Sequence, residues 1–146
     1  MRAIVCSGAG FLLAVLWFDL MFDVQVRASD GEEAVASIGR YYRRVTTDAF
    51  PMNRLVMVAM LATLGGIVAE LITGGVPTWA AWASLLLAAA PVSLAALRTV
   101  PNAVRLGAGA DSRPEQLGLA RSILRDHRFC FAAILAVLMV QLGSAA

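Results

Sequence analysis

Four stretches of this chain, 3–23, 52–73, 77–97 and 127–143, are each about twenty residues long and almost wholly apolar, and this constrains the fold more than any motif. A helix rises about 1.5 Å per residue, so roughly 20 apolar residues cross the hydrocarbon of a bilayer. Lipid offers no partner to a backbone amide, and a helix satisfies its own. The pattern therefore predicts an all-α, polytopic membrane protein, a four-transmembrane-helix bundle forming a single domain over 1–146. Composition agrees, with 60% hydrophobic residues and a mean hydropathy of +0.75, where soluble domains are about half apolar. The net charge is only +2 and every basic residue is arginine, with no basic surface on a soluble fold, which excludes nucleic acid as a partner.

The first stretch is expected to be retained: only Arg2 precedes it, no small-x-small cleavage site follows, and Asp19 lies inside it. Thr73-Gly-Gly-Val-Pro77 is a tight turn that makes the second and third spans an antiparallel hairpin. The two longer connections and their flanks hold Arg27, Arg40, Arg43, Arg44, Arg54, Arg98, Arg105, Arg113, Arg121, Arg125 and Arg128, against Arg2 alone on the other side. The positive-inside rule then places both loops in the cytoplasm and both termini outside, in a bacterial-type inner membrane, with Trp79 and Trp82 at the outer interface and Trp17 near the inner one.

Ser29-Asp-Gly-Glu32 and Ser112-Arg-Pro-Glu115 both match the S-x-x-E capping box, so each is expected to open a helix. After the first, Val35, Ile38, Tyr42 and Val45 recur at helical spacing, an amphipathic helix expected to lie on the inner leaflet. Arg40, Arg43 and Arg44 gather at its C-terminal end, where they suit the helix dipole and anionic lipid headgroups. After the second, Leu117, Ala120, Leu124 and His127 form a similar stripe able to run into the fourth span.

The polar residues converge at one end. Asp19 and Asp23, in Trp17-Phe-Asp-Leu-Met-Phe-Asp-Val24, are one helical turn apart on one face. Asn53, Arg54, Arg98, Asn102 and His127 are expected at the same depth. A carboxylate near hydrocarbon must be paired, which predicts an Asp/Arg network, Asp23 with Arg27 and Asp19 with Arg54 or Arg98. The same carboxylates, amide and imidazole are ligand types for iron, manganese or copper, although a single histidine amid many arginines argues against a cation. Toward the other end lies Glu70, with Arg2 and Gln141 as partners at its depth, either an interfacial pair or a proton carrier. Gly65-Gly66 and Ser7-Gly-Ala-Gly10 allow close helix approach, Pro91 kinks the third span, and Cys6 and Cys130 are packing residues too far apart for a disulfide.

In Leu97-Arg-Thr-Val-Pro-Asn-Ala-Val-Arg-Leu106 the proline is expected to stop the helix, with Asn102 free to cap it. A helix ending in Val100-Pro-Asn102, then a loop, then Ala120-Arg-Ser-Ile-Leu-Arg-Asp-His-Arg-Phe129 leading into the last span, resembles the small four-helix anthrone-oxygenase-like membrane proteins, with Arg40 to Arg54 in the place of their segment before span two. The resemblance covers layout rather than identities. It implies an oxygen-using oxidation of a hydrophobic aromatic substrate, with Asn102 and His127 the matching positions of interest.

Three functions follow from these residues: a membrane protein that binds lipid, a partner membrane subunit or a second copy through its arginines; a membrane oxidoreductase using Asp19, Asp23, Asn53 and His127; or a small proton-linked transporter using Glu70 or the Asp pair. No serine or cysteine has a base beside it, no glycine loop cradles phosphate, and no cofactor is assigned.

Overall fold

Helices α1 (Arg2–Asp23), α4 (Phe50–Thr73), α5 (Thr78–Leu94) and α7 (Arg113–Gly143) carry the apolar stretches, in a computed structural model that describes residues 1–28, 32–48 and 50–144. Shorter α2 (Gln25–Ala28), α3 (Glu32–Arg43) and α6 (Val100–Ala108) fill the connections, and every regular element among the described residues is helical. Three helical stretches are long and apolar enough to cross a membrane: Arg2–Arg27, Asn53–Thr73 and Thr78–Ala108.

α1 packs on α4 and α7, and α5 packs on the same two, so the four long helices form a ring in the order α1, α4, α5, α7. Small residues set the closest approach. A Cβ on Gly8 would lie 2.2 Å from the Thr63 hydroxyl, and one on Gly66 would lie 2.8 Å from Val5, so α1 and α4 meet through glycines that each face the other helix. Of the glycines singled out in the sequence, Gly10 and Gly65 face open space instead.

The third apolar helical stretch is longer than expected. Pro101 does not end it: α5 passes through a π-helical turn at Ala95–Thr99 into α6, which stops only at Gly109 in the left-handed region (φ 66°). A proline lacks the amide that would bond four residues back, and the wider π turn before it absorbs the mismatch without breaking the axis. The layout element of a helix ending at Val100-Pro-Asn102 is thereby corrected, and the connection to α7 shrinks to a few residues. Pro91 is likewise buried inside α5.

α7 begins where the second capping box predicts. The Ser112 amide and hydroxyl both donate to the Glu115 carboxylate, at 2.9 and 2.6 Å, and these bonds hold that carboxyl below its usual range. From there α7 runs unbroken through the expected fourth span, 127–143. In the first capping box, Ser29, Asp30 and Gly31 lie outside the described residues.

Candidate active site

The stripe read as a leaflet-facing surface is part of the protein's own core. Val35, Ile38 and Tyr42 are buried, with Val45 packed beside them, against Ala103 and Leu106 of α6 and Ala120, Ile123 and Leu124 of α7. α3 therefore folds back over the end of α1, with Glu32, Glu33, Ala36, Arg40 and Arg43 on its exposed side. Glycine makes the fit possible: a Cβ on Gly107 would lie 2.7 Å from the Arg43 amide nitrogen and 2.9 Å from its Cα, both backbone atoms. Because α6 comes this close, the adjacent Tyr41 and Tyr42 reach the last turns of α1.

There they meet the two acids. The Tyr42 hydroxyl donates to Asp23 Oδ1 at 2.6 Å, and His127 Nδ1 lies 2.7 Å from Asp23 Oδ2. Asp23 is wholly buried, and these two groups supply its hydrogen bonds. The Tyr41 hydroxyl donates to Asp19 Oδ1 at 2.6 Å, while its ring stacks on Phe22, with centroids 4.0 Å apart and planes within 9°. Asp19 Oδ2 faces His127 Nε2 across 3.9 Å, too long for a hydrogen bond. Burial and the neighbouring carboxylates push both tyrosine hydroxyls above the ordinary phenol range, so both remain donors at neutral pH.

The cluster forms one wall of a cavity of about 740 Å³. α4 and α5 diverge from their hairpin, and among the described residues α4 does not pack on α6, which leaves the space between them. Phe18, Val56, Met57, Met60, Leu61, Val92, Val100 and Val104 supply apolar walls, while Asp19, Tyr41, Tyr42, Asn53, Arg54, Thr99 and His127 supply the polar end. Phe18, Met57, Leu61, Val100 and Val104 are exposed, so the cavity opens sideways through apolar side chains.

The structure thus brings together Asp19, Asp23, Asn53, Arg54 and His127. Among the described residues Asp23 meets Tyr42 and His127 where Arg27 was expected, and Asp19 meets Tyr41. Arg98 pairs instead with Asp126, which is buried and also accepts from the Thr99 hydroxyl at 3.2 Å. Arg98 sits in the π turn, which packs on α7, and the acids of α1 are matched by tyrosine and histidine. Asn102 is half-buried on α6 and does not line the cavity. Asn53 donates to the Thr46 carbonyl at 3.3 Å. Arg40, Arg43 and Arg44 surround a separate exposed hollow with Asp48. Glu70 is buried far from all of these, at the hairpin end, where Gln141 is its partner.

The sequence pattern does not single out Tyr41 or Asp126, and it places Tyr42 only in the apolar stripe. One signal was present: a tyrosine on a buried stripe carries a hydroxyl that must find an acceptor. Among the described residues no group of three or more His, Cys, Asp or Glu side chains is arranged to hold a metal ion. The cluster's chemical capacity is proton transfer. Asp23 can fix Nδ1–H of His127, which leaves Nε2 as a lone-pair acceptor facing Asp19 at the cavity wall. Comparison with protein-family models, curated proteins and solved structures gives no match.

Proposed function

We propose that this chain is an integral membrane protein of four spans whose cavity takes an apolar aromatic molecule from the bilayer and accepts a proton from it on His127. The observation that carries the reading is the pairing of buried Asp23 with His127 Nδ1 at 2.7 Å at the wall of a largely apolar cavity. A carboxylate that orients an imidazole at one nitrogen leaves the other as a positioned base. Nε2 and Asp19, 3.9 Å apart, can both bond one polar group of a ligand that sits beside them on the cavity side.

Membrane insertion is supported by apolar side chains exposed on all four long helices, including Phe11, Leu61, Leu86, Leu135 and Met139. Trp17, Trp79 and Trp82 are exposed as well, as interfacial residues are. The arginine asymmetry favours the cavity end as the cytoplasmic one. The sideways opening suits a substrate that partitions into lipid. Arg54 in the cavity wall provides positive charge for an anion forming on the substrate. The oxygen-using oxidation implied by the anthrone-oxygenase-like resemblance requires such a deprotonation, because the electron-rich anion is the form of the ring that dioxygen attacks.

The test is exchange of the acidic ring C–H of an anthrone with deuterated water, followed in nanodiscs holding the purified chain. Exchange faster than in empty nanodiscs, saturating with anthrone, is the expected result. Exchange no faster than in empty nanodiscs would refute the proposal.

A second reading rests on the exposed hollow formed by Arg40, Arg43, Arg44 and Asp48. Its arginine forks suit the phosphate of an anionic lipid headgroup. Replacing Arg43 and Arg44 with Gln should then weaken the binding of anionic vesicles to the protein held in neutral-lipid nanodiscs, and unchanged binding would dismiss it.

A further inference from the structure

At the hairpin end, Glu70, Ser84 and Gln141 come from three different helices and meet inside the ring, each at most 1% exposed. The Gln141 amide nitrogen donates to Glu70 Oε2 at 2.9 Å and to Ser84 Oγ at 3.1 Å. That single amide group uses both its protons. Glu70 Oε1 and Gln141 Oε1 are buried, and among the described residues neither has a hydrogen-bond partner.

These two orphans are both acceptors, and they belong to groups already joined by a hydrogen bond; the third buried polar atom without a partner among the described residues is a donor, Arg2 Nε, on a side chain that bonds Ser144 rather than Glu70. A buried acceptor without a donor costs about 1–3 kcal/mol, and more when charged. Two such acceptors on hydrogen-bonded neighbours, one of them a carboxylate, cannot satisfy each other. A proton or a cation between or beside them supplies what both lack and also offsets the charge of the acid. The carboxyl group has no cationic partner among the described residues. On the helices packed around α4 at this end, Arg2 of α1 is the only charged side chain, and its Nη2 donates to the Ser144 carbonyl at 3.3 Å. α5 carries no charged residue, and α7 carries none beyond Arg128.

We propose that Glu70, Gln141 and Ser84 form a binding site for a small monovalent cation, a proton or a sodium ion, held by the carboxyl and amide oxygens. With a proton, Glu70 Oε1 becomes a donor and can satisfy Gln141 Oε1, closing a carboxylic acid–amide pair. With sodium, the same two oxygens and the Ser84 hydroxyl are the hard oxygen ligands such an ion takes. Either way the positive charge neutralises an acid that would otherwise stand alone in the apolar interior. The site stands apart from the His127 cluster and does not depend on its function.

Two measurements on the full chain in nanodiscs separate the occupants. The first is the infrared difference spectrum between wild type and Glu70→Gln at neutral pH and low sodium. The second is the melting temperature in sodium against potassium chloride at equal ionic strength. A protonated-carboxyl band present in wild type and absent from Glu70→Gln identifies a proton. No such band, with a melting temperature raised by sodium alone and a response lost in Glu70→Gln, identifies sodium. Neither band nor sodium response overturns the site. Should Glu70→Gln fail to fold, Gln141→Leu decides the matter. It should move the carboxyl band to the frequency of an unbonded acid or abolish the sodium response, and leaving both unchanged would also overturn the proposal.

Discussion

The molecule buries carboxyl groups at both ends of its bundle, and the two ends treat them differently. Around Asp23, Tyr42 and His127 supply donors, and the cluster borders a cavity. Around Glu70 the donors run short and the surroundings are closed, with Val5, Ile67, Ala88 and Val137 packed nearby. The difference comes from what each end can add to the four-helix ring. The hairpin end has only a short turn, so whatever meets Glu70 must come from the long helices. The other end has the long connection between α1 and α4, and its α3 folds inward against α6 and delivers the Tyr41 and Tyr42 hydroxyls to the acids. A helix ring alone confines a charge, and additional elements are needed to make a site of it.

The contrast can be broken most directly at His127. If the cavity end is the reactive one, His127→Gln should lower anthrone exchange by about 10²- to 10⁴-fold while the chain still folds; retained exchange would move the chemistry elsewhere. Next in size is Tyr42→Phe, which leaves a wholly buried carboxylate short of one donor. A hydrogen bond to a charged group is worth about 1.5–3 kcal/mol, so a loss of that order is expected in denaturant unfolding. Tyr41→Phe should cost less, because Asp19 is half-buried and the stack on Phe22 survives. Equal losses would show that the two acids are not held differently.

Gly107→Ala should also destabilise, by about 1–3 kcal/mol, since the added carbon meets backbone of α3 rather than a movable side chain. It should weaken anthrone binding at the same time, because α3 carries both tyrosines. The smallest effect concerns alkaline pH. Tyr41 and Tyr42 titrate higher in the folded protein than in the unfolded chain. Above about pH 10 the unfolded state loses those protons first, so it binds fewer and stability falls as pH rises. The double Phe variant should flatten that decline between neutral and strongly alkaline pH. An unaltered slope would place the tyrosines in water.

The three helical stretches apolar enough to span a membrane were legible in the sequence, because apolar run length is a local property that no tertiary partner needs to supply. So was the start of α7, fixed by Ser112 and Glu115 within one turn. The convergence of Asp19, Asp23 and His127 at one depth followed from counting residues along antiparallel helices. Their partners did not. Whether a polar stripe faces lipid or protein depends on where the rest of the chain folds, and α3 turned inward because Gly107 lets α6 lie against it. The continuation of the third apolar stretch through Pro101 depended on a π turn, a choice of hydrogen-bond register that the proline only permits. That register aimed Arg98 at Asp126, leaving the acids of α1 to tyrosine and histidine. The sequence by itself determined which segments are apolar enough for lipid and which residues share a depth. Only the tertiary structure decided the pairing, because a buried charge takes the partner that packing brings within hydrogen-bond range, whatever stands nearest along the chain.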